Sequence, residues 1–239
     1  MAAQHRGYRR ALLKISGEAL AGERGYGLDP NKCGWIARQV IQASEKGFEL
    51  GIVVGGGNII RGVDAVSVGV PPLVADQMGM IATVLNAMAL RSAIEAAGTP
   101  ARAMSAFAVG RFMEQFERGK ALEYLSAGNV VIFAGGTGNP CFTTDSAAAL
   151  RAVETDAQVM VKATQVPGVF DKDPITNPDA VMFDRISARE VIERRLAVID
   201  ATSVEILSRK KIPIIVLDLH VEGNISRALT GEQVGTVIE

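Results

Sequence analysis

Residues 130–150 read VVIFAGGTGNPCFTTDSAAAL. The run opens on Val130, Val131, Ile132 and Phe133, an apolar, β-branched stretch of the kind found in buried strands. Gly135, Gly136 and Gly138 follow, where the backbone must take positive φ or approach another group closely. Asn139 and Pro140 continue the turn, and Thr143, Thr144 and Asp145 lead into an alanine-rich helix. Strand, glycine loop, hydroxyl cap and helix together present free N–H groups to an anion at a helix N-terminus. Taken alone, the stretch reads equally well as an ordinary capped turn, since capping by itself explains the threonines and the aspartate.

Two earlier stretches repeat the design. Residues 10–16 (RALLKIS) predict a strand that ends at Ser16 and Gly17, with Lys14 inside it. A lysine there is either solvated at a sheet edge or leaves the carboxyl end of a central strand, where open α/β sheets bind their ligands. Residues 50–54 predict a second strand, which runs into Gly55, Gly56, Gly57 and Asn58. Neither GxxxxGK[ST] nor GxGxxG is met, so this is a phosphate-type loop outside the two common signatures. Arg61 lies one helical turn beyond, within bidentate reach of a phosphate, and is otherwise a surface arginine.

The remaining chain alternates strand and helix. Residues 22–27 (GERGYG) form a flexible loop. Asp29 and Pro30 start a helix that runs to about Lys46. After Pro71 and Pro72, a helix over residues 73–97 is apolar on nearly every side, so it should be buried, and we read it as a subunit interface. Asp76 in its first turn either complements the helix dipole or accepts hydrogen bonds from a ribose. A short strand is expected at 101–104, a helix over 112–126, a strand at 158–163 ending near Lys162, helices over 186–196 and 200–208, a strand at 213–217, a helix over 223–230, and an edge strand from Gly235. Residues 165–185 form the one loop-rich lobe or lid. Repeated βα units with Val/Ile-rich strands predict a mostly parallel sheet covered on both faces, in a single domain spanning residues 1–239.

Composition narrows the function. Of 239 residues, 48% are hydrophobic and 21% charged, as in ordinary soluble globular proteins. A net charge of -1 leaves no basic footprint for nucleic acid, and 5% aromatics argues against base-stacking platforms. The first residues have no apolar core resembling a secretory signal, so Cys33 and Cys141 are expected as free thiols in a reducing, cytoplasmic setting. The most apolar window, 78–97, is interrupted by Asn86, Arg91 and Glu95, so no membrane span is expected. His5 and His220 sit outside every motif, which argues against a histidine-based triad, and no His/Cys cluster has metal-ligand spacing. The parts that recur are glycine loops, the cations Lys14, Arg61 and Lys162, and the acids Asp76, Asp145 and Asp173. Phosphoryl transfer needs positioning and charge neutralisation, which these supply. Two separated phosphate loops suggest two phosphorylated ligands, a donor and an acceptor.

LLKISGEAL, GIVVGGGNIIRG, DQMGM, AGGTGNPCFTTDSAAALRA and KATQVPGVFDKDP resemble, in order and spacing, the bacterial uridylate kinases (UMP kinases) of the amino acid kinase superfamily. The resemblance implies a three-layer α/β/α sandwich, a homohexamer built as a trimer of dimers, and the reaction ATP + UMP to ADP + UDP with Mg²⁺. It implies UMP on Gly56, Asp76, Thr137, Gly138, Asn139, Pro140, Cys141, Phe142, Thr143 and Thr144. It implies ATP on Lys14, Ile15, Ser16, Gly17, Gly57, Arg61, Thr164, Phe170 and Asp173, so that residues 1–160 serve mainly the acceptor and 161–239 mainly ATP. Lys14, Arg61 and Asp145 would be catalytic: Lys14 on the transferring phosphoryl, Arg61 between the phosphates, Asp145 orienting Lys14 and fixing the Thr143–Thr144 turn. Lys162 reads equally as a catalytic or a structural strand-end lysine. Many members are activated by GTP and inhibited by UTP, and Gly22, Glu23, Arg24, Gly25, Tyr26 and Gly27 match the GTP region. Cys141, Gln165 and Pro167 depart from the family pattern, which has Phe, Lys and Asp there. A carboxylate kinase of the same superfamily and a nucleotide sensor without turnover are the rival readings.

Overall fold

The computed structural model describes residues 7–196 and 198–239; His5 lies outside them. Among these described residues nine strands form one sheet: β1 (Arg10–Ile15), β2 (Glu49–Val54), β3 (Ala101–Ser105), β4 (Glu114–Gln115), β5 (Val130–Ala134), β6 (Val159–Thr164), β7 (Arg185–Ile186), β8 (Ile214–Asp218) and β9 (Thr236–Ile238). Their spatial order is β4-β3-β5-β2-β1-β6-β8-β9-β7, and each pairing is parallel except β8 with β9. β2 and β5 are buried at every position, as strands covered on both faces must be.

The helices are α1 (Pro30–Ser44), α2 (Gly62–Ser67), α3 (Pro72–Ala96), α4 (Arg118–Ser126), α5 (Thr144–Glu154), α6 (Ala188–Glu193), α7 (Ala201–Arg209) and α8 (Asn224–Leu229). Alternate strand residues feed two separate cores. Leu13, Ile15, Ile52 and Ile132 pack with Ile36, Val40, Leu90 and Leu229 of α1, α3 and α8. Leu12, Val53, Val131 and Phe133 pack with Leu125, Ala148, Val191 and Val204 of α4 to α7. This is the three-layer α/β/α arrangement expected from the βα pattern.

Chain order leaves β1 toward β2 on one side and places β6 on the other, so the order of connection reverses at β1. The carboxyl ends at such a reversal form a crevice. Lys14 of β1 and Lys162 of β6 are register partners there, so both side chains stand on one face.

Several elements differ from the sequence expectation. The helix expected over 112–126 begins only at Arg118, because Glu114 and Gln115 add to the edge of β3 and the Phe116 N–H donates to Ser105 O at 2.8 Å. Phe116 also packs edge-on against Phe133, centroids 5.7 Å apart. The helix expected over 186–196 is shortened to α6, entered through Ser187 as N-cap and followed by Arg195 at φ 52°. β9 is not the edge strand, because β7 pairs outside it.

α3 is not buried on most sides within one chain. Ala82, Thr83, Asn86, Ala87, Leu90 and Ile94 face inward, while Leu73, Val74, Met78, Ile81 and Leu85 are exposed. By length and composition it would qualify as a membrane-crossing helix, but its inward side lies against the sheet and the glycine loops.

Candidate functional site

The site is built at the carboxyl ends of β1, β2, β5 and β6. The Thr143 side chain caps α5 by accepting from the Asp145 and Ser146 N–H groups at 3.1 and 3.2 Å. That cap sets Asp145 in the first turn of α5, above the two lysines. Asp145 Oδ1 lies 2.9 Å from Lys14 Nζ, and Oδ2 lies 2.5 Å from Lys162 Nζ. The three side chains are only 10–13% exposed.

Burial pushes the Asp145 carboxyl up, but the Lys14 and Lys162 ammonium groups outweigh it and hold it below the usual carboxylate range. Burial pulls Lys162 below the usual lysine range; Asp145 opposes the shift and Lys14 adds to it. Two ammonium groups meet at a strand-end crevice, with Asp145 between them and the Asp200 carboxylate also acting on Lys162. An anion entering there would be attracted by both lysines. Lys14 is therefore not the solvated edge lysine, and Lys162 joins the same cluster.

Asp200 was read in the sequence only as a helix start. It caps α7 through the Ser203 N–H (2.7 Å), accepts a hydrogen bond from the Thr143 hydroxyl, and accepts from Ser146 Oγ at 3.2 Å. It thereby ties the N-termini of α5 and α7 together. The turn ahead of α5 is fixed by Thr143 and Asp200; Asp145 instead holds both lysines. A capping aspartate is legible locally, but a partner more than fifty residues away is not.

A cleft of about 150 Å³ lies beside this cluster, lined by Gly56, Gly57, Asp76, Thr83, Asn139 and Thr144 among others. It also gathers Pro140 and Phe142. Thr137 Oγ1 closes a local turn with Asn139, and the Gly138 N–H donates to Gly135 O. Cys141 is exposed at φ 69°, and its N–H donates to Asp76 Oδ2 at 2.8 Å, joining α3 to the 137–144 loop. Gly56 permits the close approach of β2 to α3: a Cβ there would lie 2.6 Å from Gly79 O and 2.9 Å from Ala82 Cβ.

A second cleft of about 370 Å³, more apolar in its lining, includes Phe170, Asp173, Val169, Pro174 and Leu196. Of the residues the resemblance assigns to ATP, Phe170 and Asp173 lie there. Lys14 and Ile15 end β1, Ser16 and Gly17 follow, Gly57 lines the other cleft, and Thr164 ends β6. Arg61 is the N-cap residue of α2, exposed, with Nη2 2.7 Å from Glu18 Oε1. An exposed pair of this kind is weak, so a bound phosphate can compete for the guanidinium. Residues 22–27 begin in a short 3₁₀ turn and skirt a pocket of about 200 Å³ that includes Gly22, Glu23, Lys32 and His220.

Among the described residues no cluster of three His, Cys, Asp or Glu side chains suits a metal ion, and both Asp145 oxygens face ammonium groups. The residues present do not build a protein cage for Mg²⁺.

A mostly parallel sheet whose strand order reverses at a paired-lysine crevice, between two glycine loops, is the architecture of a phosphate-handling α/β protein. The amino acid kinase family profile matches residues 9–218, and the chain belongs to that family. It is similar to the crystal structure of a UMP kinase from Bacillus anthracis, at 33% identity and a TM-score of 0.95, covering 98% of this chain and 97% of that one. A UMP kinase from Ureaplasma parvum matches at 31% identity and a TM-score of 0.91, over 97% and 98% of the two chains. A uridylate kinase from Archaeoglobus fulgidus matches at 32% identity and a TM-score of 0.73, over 96% and 99%.

Proposed function

We propose that this chain is a UMP kinase, transferring the γ-phosphoryl group of ATP to UMP reversibly to give ADP and UDP, within pyrimidine nucleotide biosynthesis. The observation that carries the reading is the Lys14–Asp145–Lys162 cluster at the sheet reversal, opening beside the cleft that holds Asp76 and the 137–144 loop. The similarity to UMP kinases over nearly the whole chain supports the choice of acceptor.

UMP occupies the smaller cleft. Asp76 accepts from the ribose hydroxyls, and Gly56 with residues 137–144 surrounds phosphate and uracil. ATP would enter as its Mg²⁺ complex, the ion arriving with the substrate and supplying neutralisation of phosphate charge. Its base lies toward Phe170 and Asp173, and its phosphates reach Ser16, Gly17 and Gly57. Lys14 neutralises the moving phosphoryl group, Lys162 adds charge from the neighbouring strand, and Asp145 holds both ammonium groups aimed. Arg61 leaves Glu18 to bridge donor and acceptor phosphates. The acceptor phosphate is already a nucleophilic anion at neutral pH, so no general base is needed.

The chain acts as one domain, residues 1–160 serving mainly the acceptor and 161–239 mainly ATP. The exposed apolar side of α3 pairs with a second copy, and three such dimers form a hexamer in the cytoplasm. GTP activates through residues 22–27, and UTP inhibits. The test is ADP production from MgATP with UMP, CMP, dUMP and N-acetylglutamate, with and without GTP. Turnover with UMP, weak with dUMP, supports the reading. Turnover with N-acetylglutamate, or ATP binding without any turnover, overturns it.

A further inference from the structure

Asn58 and Asn86 are 2% and 0% exposed, and neither belongs to either cleft. Their amides face each other with every donor used. Asn58 Nδ2 donates to Gly27 O at 2.7 Å and to Asn86 Oδ1 at 3.1 Å. Asn86 Nδ2 donates to Gly55 O and to Asn58 Oδ1, both at 2.6 Å. The Gly27 N–H closes the circuit on the Asn58 carbonyl at 2.6 Å. Rotating either amide by half a turn would set an oxygen against Gly27 O or Gly55 O, so the network itself fixes the orientation.

Four segments meet on this pair: the loop after β1, the loop after β2, the 22–27 loop and α3. Gly17 packs so closely that a Cβ there would lie 2.6 Å from Asn58 Oδ1 and 2.7 Å from Gly55 O. The Gly55 N–H also donates to Ile15 O at 2.9 Å. In the proposed reaction the loop after β1 serves the donor, and the loop after β2 serves both sides, with Gly56 toward UMP and Gly57 toward ATP. One turn earlier on α3, Thr83 Oγ1 accepts from the Gly135 N–H at 2.7 Å, so α3 registers the glycine loops after β2 and β5.

We infer that Asn58 and Asn86 are positioning residues for phosphoryl transfer: their amide pair sets the distance between the donor-side loop after β1 and the loop after β2, which presents Gly56 to the acceptor. The inference rests on the kinase reading above. Ser16 and Gly17 stay with the ATP phosphates, and Gly56 stays with the 137–144 loop around UMP, so loosening the pair weakens separate binding little and spoils the joint geometry. A displacement of about 1 Å between reacting groups costs on the order of 100-fold in rate. The same pair makes the 22–27 loop mechanically continuous with the site, since Gly27 holds it from the far side.

The experiment compares the unmodified protein with Asn86→Asp and Asn86→Ala. Asn86→Asp keeps the volume and the acceptor for Asn58 but places an oxygen against Gly55 O. Turnover of MgATP with UMP is measured beside equilibrium binding of UMP alone and of MgATP alone. We expect kcat to fall about 100-fold, with each binding constant moving less than about threefold. Unchanged kcat in a variant that merely melts earlier would overturn the inference and make the pair a packing feature. Equal losses in kcat and in separate binding would overturn it as well. No turnover of UMP by the unmodified protein is a different result, the failure of the kinase reading. Hydrogen exchange on the unmodified protein covers the case of variants that do not fold. Binding of UMP with a non-hydrolysable ATP analogue should slow exchange at the Gly27 amide about tenfold or more, and indifference of that amide to both ligands would overturn the coupling.

Discussion

At the residue scale, the two lysines sharing one carboxylate separate stability from activity. In Asp145→Asn, two ammonium groups face each other in a site nearly closed to water. Removing one partner of a buried ion cluster costs about 3–5 kcal/mol, to be read from urea denaturation midpoints. In Lys14→Met the Asp145–Lys162 pair survives, so stability should fall by less than in Asp145→Asn. Loss of a charge aimed at the moving phosphoryl should lower kcat by roughly 10²–10³, with little change in KM for UMP. An unaltered kcat in Lys14→Met would refute its role. The pH dependence follows from Asp145. Its folded pKa lies below the unfolded value, so its contribution to stability is full above about pH 4 and lost as pH falls below that. Acid titration followed by circular dichroism should show a shallower loss of stability in Asp145→Asn than in the parent. The individual lysines and Asp145 were legible in the sequence because each ends a strand or opens a helix. The Lys14–Asp145 relation followed from the resemblance; the meeting of Lys162 with both did not, since residues 14 and 162 meet only through strand register.

At the element scale, α5 and α3 carry the site. Thr143→Ala removes the cap of α5 and the hydroxyl that donates to Asp200, and caps contribute about 0.5–2 kcal/mol. Because the cap also aims Asp145, kcat should fall further than this stability loss explains. Thermal melting beside initial rates checks both. The capped start of α5 was readable from Thr143-Thr144-Asp145, as was that of α1 from Asp29-Pro30, because caps are local. The start of α4 was misread for the opposite reason. Residues 112–117 have no local signal against helix, and it is the pairing of Glu114–Gln115 with β3 and the packing of Phe116 on Phe133 that hold them extended. α3 keeps its expected extent, and its exposed apolar side is what a subunit interface would leave on a single chain. Its composition gives no way to tell an apolar side facing the sheet from one facing outward.

At the scale of the whole molecule, the alternation of strands and helices specified a parallel sheet, but not the spatial order that puts β1 between β2 and β6. That order depends on which crossovers fold back over which face, and it alone creates the crevice where Lys14 and Lys162 meet. The same architecture leaves Leu73, Val74, Met78, Ile81 and Leu85 outside. If this face is buried in a dimer, folding and association are linked, and the melting temperature must rise with protein concentration. Calorimetry over a hundredfold range of concentration should show that rise, and Ile81→Glu should abolish it by placing a charge where an apolar contact forms. Sedimentation of the same variant should give a smaller particle than the parent. A melting temperature independent of concentration, with the parent sedimenting as a single chain, would remove α3 as an interface. It would leave the Lys14–Asp145–Lys162 cluster untouched, because all three residues belong to elements of one chain.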